Sequence, residues 1–324
     1  MKGKKRILAF LLMIAACMLF AASTLAMLYG FEPFYSSYYS FAWWSYIIFV
    51  ESFLYRRGGR SLLYENSRKF LLLLPLSATI WLLFEALNFR LLDWHYINIP
   101  SNTLVRWTGY PSAYSTVLPG IFSTKALLEF LGIAGNLRTA PLSDPRRLYK
   151  PFTFAGILFV ILPLAWPEYF FPLIWLAFVF LLEPVNHKAG TLSLLRDLEK
   201  GVPGNLILLL LSGAFCGLLW ETWNFWAGAK WVYSLPHLGF LKIFEMPLLG
   251  FLGFPPFAVE CYTMTASFFL LISKIGEKHP TVRALGIYTA VAALMLLFDL
   301  LVLTGIDRFT VMSFQNFIPF GPRP

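Results

Sequence analysis

Long runs of apolar residues, separated by short polar segments, make up most of this chain. Several of the runs approach or exceed the roughly 20 residues that a helix needs to cross the hydrocarbon core of a bilayer. The pattern therefore predicts an all-α, polytopic helical membrane protein with about nine transmembrane helices. The predicted spans are 7–28, 38–56, 70–89, 111–134, 152–166, 169–186, 204–227, 249–274 and 284–304.

The composition excludes a soluble domain. Hydrophobic residues make up 58% of the 324 residues and charged residues only 13%, and the mean hydropathy is +0.66. Cys17, Cys216 and Cys261 all lie inside apolar runs, and neither they nor the four histidines have the spacing of metal ligands. We therefore expect no metal site and no cofactor.

The first apolar run has two interpretations. It follows basic residues and contains an I-A-A-C sequence that resembles a lipoprotein cleavage box, so it could be a signal peptide. However, the stretch from Ile7 to Leu28 is long enough to span a membrane, and more spans follow it. We expect a retained first transmembrane helix.

Lysines and arginines are concentrated in alternate connecting segments. If the N-terminus is cytoplasmic, 19 of the 26 basic residues lie in cytoplasmic segments. These segments are 1–6, 56–69, 135–151, 187–203 and 274–283. The positive-inside rule then predicts a multi-pass protein of the cytoplasmic (inner) membrane, with its N-terminus inside and its C-terminus outside. The same excess explains the net charge of +9, and the absence of a continuous basic face argues against a nucleic-acid partner.

An internal repeat is visible in two aromatic segments. FEALNFRLLDWHYINIP (84–100) and WETWNFWAGAKWVYSLP (220–236) share the order E-x-x-N-F, W-x-Y and P. Two further correspondences support the repeat. Glu51 and Glu183 each precede an S-L-L sequence by ten residues, and a pair of prolines eight residues apart follows each aromatic segment.

The offset between the copies covers four predicted spans, so both copies cross the membrane in the same direction. This predicts two parallel four-helix repeats related by an axis along the membrane normal. The predicted division is an N-terminal transmembrane helix (1–30), a first repeat (31–166), a second repeat carrying the acidic site (167–304) and an external C-terminal tail (305–324).

Acidic residues are distributed unequally between the copies. The second copy has Glu221, Glu245 and Glu260, whereas Gly109 and Thr124 occupy the positions equivalent to the last two in the first copy. A carboxylate within a bilayer costs a few kcal/mol and usually faces a partner, a cavity or a substrate. We therefore take these three glutamates as candidate catalytic residues. The candidate substrate-binding residues are Asn224, Trp231, Tyr233, Trp220, Glu85 and Asn88.

Structural roles remain open for several of these residues. The tryptophans and Tyr233 could form an interfacial aromatic belt. Glu221 and Asn224 are three residues apart on one helix face, so they could form a hydrogen-bonded pair that only locks two helices together. Lys125 and Glu129 have the spacing of a structural ion pair.

The order of these residues resembles the small integral-membrane lycopene cyclases of the heterodimeric and fungal type, and the related membrane carotenoid hydratases. The resemblance covers roughly residues 45–135 and 177–275, and the P-x-E-E hallmark of the cyclases is absent. It implies an isomerase or lyase that acts on a carotenoid-like substrate. The residues that carry it are Glu221, Trp231, Tyr233, Pro236, Pro255, Pro256 and Glu260, echoed by Glu85, Trp94 and Tyr96. Residues 242–264 also resemble an uncharacterised bacterial membrane family that implies no activity.

Three functions follow from these features. A buried, protonated carboxyl group could protonate an isoprenoid double bond, with aromatic faces stabilising the carbocation. Alternatively, the repeats could form a lipid or small-molecule transporter, or a non-catalytic scaffold. The unequal acids favour the enzyme, and its partner would be a membrane lipid or isoprenoid. This hypothesis predicts that Glu221, Asn224 and Glu260 converge on one cavity walled by Trp231 and Tyr233.

Overall fold

The computed structural model describes residues 2–317, and helices dominate it. The first half contains α1 (Lys2–Leu28), α2 (Tyr38–Arg57), α3 (Leu62–Glu65), α4 (Ser67–Leu91), α5 (Thr103–Tyr114) and α6 (Val117–Phe130). The second half contains α7 (Tyr149–Ala165), α8 (Pro167–Phe170), α9 (Ile174–Ala189), α10 (Leu194–Glu199), α11 (Gly204–Trp226), α12 (Phe254–Lys278) and α13 (Thr281–Phe309). Short 3₁₀ helices form at Pro145–Leu148, Phe171–Leu173 and Leu248–Gly253.

Seven helical segments within residues 2–317 are long and apolar enough to cross a membrane. They are Gly3–Leu28, Ser67–Leu91, Pro145–Ala165, Pro167–Ala189, Gly204–Trp226, Leu248–Lys278 and Thr281–Phe309. Their length and composition confirm the prediction of an all-α, multi-pass helical membrane protein.

The other two predicted spans have weaker spanning character. Residues 38–56 form α2, but its tyrosines, serines and Glu51 lower its hydropathy. Residues 111–134 do not form one helix, because the chain breaks between α5 and α6 at Ser115 and Thr116. Pro119 lies in the first turn of α6, where a missing N–H costs nothing, so it favours a new helix start at this place.

Two predicted boundaries also shift. The span predicted at 249–274 begins as the 3₁₀ helix Leu248–Gly253, and the α-helix starts only at Phe254, immediately before Pro255 and Pro256. The tail predicted to start at 305 still belongs to α13 as far as Phe309. Residues 310–317 follow α13, and residues 318–324 of the predicted tail lie outside the described residues.

The helices pack around a centre shared by both halves. α1 packs along α2, and α7 packs in the same way along α9. α11 contacts both α6 and α12, whereas α13 packs mainly against α4. The buried core between these helices contains Trp43, Phe84, Leu118, Cys216 and Phe257. Because that core draws on both halves of the chain, neither half buries its apolar surface alone.

Short strands gather at one end of the bundle. They are β1 (Trp94–Ile97), β2 (Ile99–Pro100), β3 (Lys230–Tyr233), β4 (Lys242–Ile243), β5 (Met246–Pro247) and β6 (Phe314–Gln315). β1 pairs with β3 and β4 with β5, both antiparallel, while β2 pairs with β6 in parallel. We call this the ribbon end, after the β1–β3 pair.

The β1–β3 ribbon joins the two W-x-Y sequences. Trp94 lies opposite Tyr233, and Tyr96 lies opposite Trp231. Exchanging each residue for its counterpart in the other copy reproduces the same two pairs. The ribbon register therefore has a local two-fold symmetry.

Basic segments contact one another in two pairs, 1–6 with 56–69 and 135–151 with 187–203, at the opposite end of the bundle, which we call the basic end. The Lys5 ammonium donates to the Tyr64 carbonyl at 3.4 Å, and the Lys69 ammonium lies 4.9 Å from the centre of the Phe269 ring. The backbone N–H at residue 139 bonds to the carbonyl at residue 201 over 3.1 Å. Basic connecting segments therefore lie against one another at this end.

Glu51 and Glu183 make the same local contacts in the two halves. Each accepts a hydrogen bond from a serine hydroxyl ten residues further along, at 2.6 Å and 2.8 Å respectively. Each also accepts one from a backbone N–H twelve residues further along, at 3.0 Å and 3.2 Å. Both carboxylates therefore satisfy the free N–H groups that begin α3 and α10, which is a structural role.

Candidate functional site

Glu221 lies buried on α11 and meets the ribbon through a tyrosine. The Tyr233 hydroxyl donates to Glu221 Oε1 at 2.8 Å, and the Trp231 indole N–H donates to the same hydroxyl at 2.7 Å. Burial, and next the nearby Glu221 carboxylate, raise the pKa of Tyr233 well above its usual value. Tyr233 therefore keeps its proton and remains a donor. These three predicted site residues do form one connected group.

Asn224 does not bond to Glu221, contrary to the expectation from their spacing. Its side-chain amide donates to the Trp231 carbonyl at 2.9 Å and accepts from the Trp231 N–H at 3.0 Å. Asn88 likewise donates to the Trp94 carbonyl at 2.8 Å. The backbone of a ribbon strand offers both a donor and an acceptor, so it satisfies the whole amide. The two asparagines thus fasten α4 and α11 to the ribbon.

Glu85 is the most heavily bonded of the predicted carboxylates. Its Oε1 accepts from the indole N–H of Trp81 at 2.8 Å, from that of Trp94 at 3.1 Å and from the hydroxyl of Tyr96 at 2.5 Å. Burial, and next the charge of Glu85, raise the pKa of Tyr96 well above its usual value. Glu85 thus holds the aromatic side chains of β1 in place.

The other two predicted carboxylates lie apart from this group. Glu245, in the turn between β4 and β5, forms an ion pair with Lys230 at 2.6 Å. Glu260, on α12, accepts the Phe178 backbone N–H at 2.7 Å. Each of these contacts links two elements of the fold.

In three of these glutamates, only one of the two carboxyl oxygens accepts a hydrogen bond from a described residue. Oε2 of Glu85, Glu221 and Glu260 has no hydrogen-bond partner among the described residues. A buried acceptor without a partner costs free energy. However, none of these glutamates lines either of the two cavities at the ribbon end.

The larger of those cavities is lined almost entirely by aromatic and apolar side chains. It has a volume of about 470 Å³ and lies between the ribbon, the start of α9, α11 and the start of α12. We call it the tryptophan cavity. Its aromatic lining consists of Trp81, Trp94, Phe171, Trp175, Trp220, Trp231, Tyr233, Phe254 and Phe257. This volume is in the range of sites for small molecules, and its lining suits an apolar one.

Among the described residues that line this cavity, Asp93 is the one with a charged side chain. The local backbone fixes its position: α4 ends with Leu92 in the left-handed conformation, and the Asn88 side chain accepts the Asp93 N–H at 2.8 Å. The Asp93 carbonyl in turn accepts the Ser234 N–H at 2.8 Å. The residue is therefore held on both sides by the ribbon and α4.

The Asp93 carboxyl is buried in the wall of the tryptophan cavity. The residue is 1% exposed, and neither carboxyl oxygen has a hydrogen-bond partner among the described residues. Burial raises the pKa of this carboxyl from 3.8 to about 7, because an apolar site disfavours the charged form. Near neutral pH, Asp93 can therefore both give and take a proton.

A second, smaller cavity lies beside the first and is lined by Tyr96 and Trp231, which share a face of the ribbon with Trp94 and Tyr233. It has a volume of about 100 Å³ and is lined by Tyr39, Tyr96, Tyr110 and Tyr114 among others, so we call it the tyrosine cavity. Its two cations are already paired, Arg106 with Asp307 at 2.8 Å and Lys230 with Glu245 at 2.6 Å. Trp81, Trp220 and Trp231 line both cavities and so form the partition between them.

The structure thus brings only part of the predicted site to the tryptophan cavity. Trp220, Trp231 and Tyr233 line it. Glu221 does not line it, but accepts a hydrogen bond from the Tyr233 hydroxyl. Asp93 was missed because it follows a helix end, where acidic residues are common in loops. One signal was available: the residue before the repeated tryptophan is Asp93 in one copy and Lys230 in the other.

No group of three or more histidine, cysteine or acidic side chains within residues 2–317 is arranged to hold a metal ion. Comparison with protein-family models, with curated proteins and with solved structures found no match to this chain.

Proposed function

We propose that this protein is a membrane enzyme that uses the Asp93 carboxyl for acid–base chemistry on an isoprenoid or carotenoid-like lipid bound in the tryptophan cavity. The observation that carries the proposal is one buried carboxyl, without a partner among the described residues, in a cavity that is otherwise aromatic and apolar. A pKa of about 7 suits a group that must exchange a proton near neutral pH.

The chemistry begins with proton transfer from Asp93 to one carbon of a substrate double bond. The π electron pair forms the new C–H bond, and the neighbouring carbon becomes a carbocation. The faces of Trp81, Trp94 and Trp175 stabilise that cation by cation–π attraction in a desolvated site. Loss of a proton from an adjacent carbon to the Asp93 carboxylate forms a new double bond and restores the acid.

Glu221 has a supporting role in this proposal. It accepts from the Tyr233 hydroxyl, whose ring lines the cavity. Glu85 has the same relation to Tyr96 and the tyrosine cavity. Both glutamates therefore act through a tyrosine, whereas Asp93 faces the ligand. Glu260 and Glu245 act further away, on the packing of α12 and of the β4–β5 hairpin.

The carotenoid-like substrate is taken from the resemblance to membrane lycopene cyclases and carotenoid hydratases. The aromatic lining suits a conjugated or branched hydrocarbon chain, which offers both apolar surface and double bonds. We propose the scaffold of those enzymes with the acid at a different position, Asp93.

We also propose nine membrane crossings arranged as two parallel repeats. The symmetric ribbon register and the matching contacts of Glu51 and Glu183 support the repeat. Because α1 packs on α2 as α7 packs on α9, we assign α1, α2, α4 and α6 to one unit and α7, α9, α11 and α12 to the other. This grouping differs from the predicted division, because α13 rather than the N-terminal helix (1–30) is then the additional helix.

The proposed orientation places the basic end in the cytoplasm of a cell with an inner membrane. Reporter fusions after residues 64 and 145 should then report the cytoplasm, and fusions after residues 102 and 238 the outside. If residues 102 and 238 report opposite sides, the parallel repeat is wrong.

The two cavities with a shared partition favour one alternative, a transporter that passes a lipid between them. The total lipid and pigment profile of cells with and without the protein separates the two functions. An isoprenoid whose structure or amount differs between these cells supports the enzyme. An unchanged composition with a changed distribution between leaflets supports the transporter, and no change in either contradicts both.

A further inference from the structure

The rim of the tryptophan cavity is apolar. Most residues that line the cavity are buried or half-buried, and the exposed ones are Pro172, Leu249 and Leu252. Leu249 is 51% exposed and Leu252 is 70% exposed. An opening onto water is normally edged by polar residues, so an edge of proline and leucine fits contact with lipid chains.

The segment that covers this cavity has apolar residues on both sides. Met246 and Gly250 line the cavity from the β4–β5 hairpin and the 3₁₀ helix Leu248–Gly253. On the outer side, Phe240, Leu241 and Ile243 are 66%, 66% and 43% exposed. So much exposed apolar surface beside membrane helices is stable in a bilayer interface and costly in water.

Contacts within the ribbon end fix the position of this segment. The Lys230–Glu245 ion pair ties the hairpin turn to β3 at 2.6 Å, and the Phe244 ring lies 5.4 Å from the Phe225 ring of α11. Lys230 and Glu245 have side chains only about one-fifth exposed (20% and 18%), so this pair is shielded from bulk water. The hairpin is therefore a fixed frame beside the rim.

The tyrosine cavity differs in this respect. Among the described residues, those that line it are all buried or half-buried. An exposed apolar rim is therefore a feature of the cavity that contains Asp93.

We propose that the rim formed by Pro172, Leu249 and Leu252 is a lateral portal, through which a single-chain isoprenoid amphiphile passes from the leaflet at the ribbon end into the tryptophan cavity. The proposed chemistry at Asp93 identifies the substrate class, and the portal itself depends only on the rim. The apolar chain remains in contact with lipid while it slides past the leucines, so it is never transferred through water.

The test uses a photoreactive isoprenoid alcohol, a farnesol analogue with a diazirine, added to vesicles that contain the full-length protein. Light should attach the probe to peptides from 171–176 and 248–257, which line the cavity. Leu252→Trp enlarges a rim side chain, and we expect it to slow this labelling by at least about 10-fold. Leu248→Trp is the matched control, because Leu248 is 43% exposed on the same 3₁₀ helix and does not line the cavity.

Slow labelling in Leu252→Trp with normal labelling in Leu248→Trp supports the portal, provided that both variants melt at the wild-type temperature. Equal labelling rates in the two variants overturn it. If Leu252→Trp does not fold, Leu249→Trp takes its place with the same expectation. The portal and the chemistry can fail separately. If labelling slows in Leu252→Trp but cells with and without the wild-type protein have the same lipid profile, the portal is supported and the enzyme is not. If the lipid profiles differ but labelling does not slow, the enzyme is supported and the portal is not.

Discussion

Asp93→Asn should abolish the change in lipid composition that the wild-type protein causes. We expect a loss of at least about 100-fold in turnover, the usual contribution of a general acid. Asparagine has the shape of aspartate and fits the same space, but its amide cannot release a proton to a double bond. The folded protein should remain, because neither Asp93 carboxyl oxygen holds any other described residue in place.

Asp299→Asn is the matched control for this variant. Asp299 on α13 accepts the Thr79 hydroxyl at 2.9 Å and lines neither cavity. The same chemical change at this carboxyl should leave the lipid product unchanged. If Asp93→Asn retains full turnover, or if Asp299→Asn loses as much, Asp93 is not the reactive acid.

Asp307→Ala breaks the buried ion pair between Arg106 and Asp307. Among the ion pairs of the described residues, we expect the loss of this one to lower the free energy of unfolding most. The Asp307 carboxylate accepts two hydrogen bonds from Arg106 Nε, one from Arg106 Nη2 and one from the Trp107 indole, at 2.8–3.0 Å. The Tyr110 hydroxyl adds another at 3.2 Å. Together they fasten the end of α13 onto α5 and the tyrosine cavity. Breaking a buried ion pair costs about 3–5 kcal/mol, because the remaining charge is left without a partner.

The exposed pair between Arg147 and Asp144 is the control for this prediction. Its atoms lie 2.9 Å apart, but its side chains are 85% and 42% exposed. Asp144→Ala should therefore lower the free energy of unfolding by less than about 1 kcal/mol. The measurement is denaturation in detergent micelles, followed by circular dichroism. Equal losses in the two variants would contradict the burial argument.

The fold class and much of the helix layout could be predicted from the apolar runs. Hydropathy identifies a spanning helix because every backbone polar group must be satisfied within it. The same signal failed at residues 111–134, where one apolar run contains two helices. Apolarity alone does not distinguish them, and the break depends on Ser115, Thr116 and the placement of Pro119.

The repeated aromatic segments were found from spacing, but their pairing was not. Sequence spacing indicates that Trp94 and Trp231 are equivalent, and it does not indicate that their strands are hydrogen-bonded to each other. That pairing explains why Asn88 and Asn224 bond to the backbone of the strands. An asparagine three residues after a glutamate has two available partners, and only tertiary structure decides between them.

The buried position of Asp93 could not be predicted for a related reason. Glu221, Glu245 and Glu260 attract attention because a charge in a bilayer is costly. The structure meets part of that cost with Tyr233, Lys230 and the Phe178 N–H. Asp93 lies beyond the end of α4, where the sequence indicates a loop and a charge would cost little free energy. Only the surrounding tryptophans make its environment apolar.

The most direct test of the account is the protonation of Asp93 itself. Infrared difference spectra between wild type and Asp93→Asn in vesicles should contain a carboxyl C=O band that is present at about pH 5 and lost with a midpoint near pH 7. The Asp299→Asn spectrum should keep that band. A band that is lost with a midpoint near pH 4, the ordinary value for an aspartate, would place the Asp93 carboxyl in water and contradict its role as the acid of the tryptophan cavity.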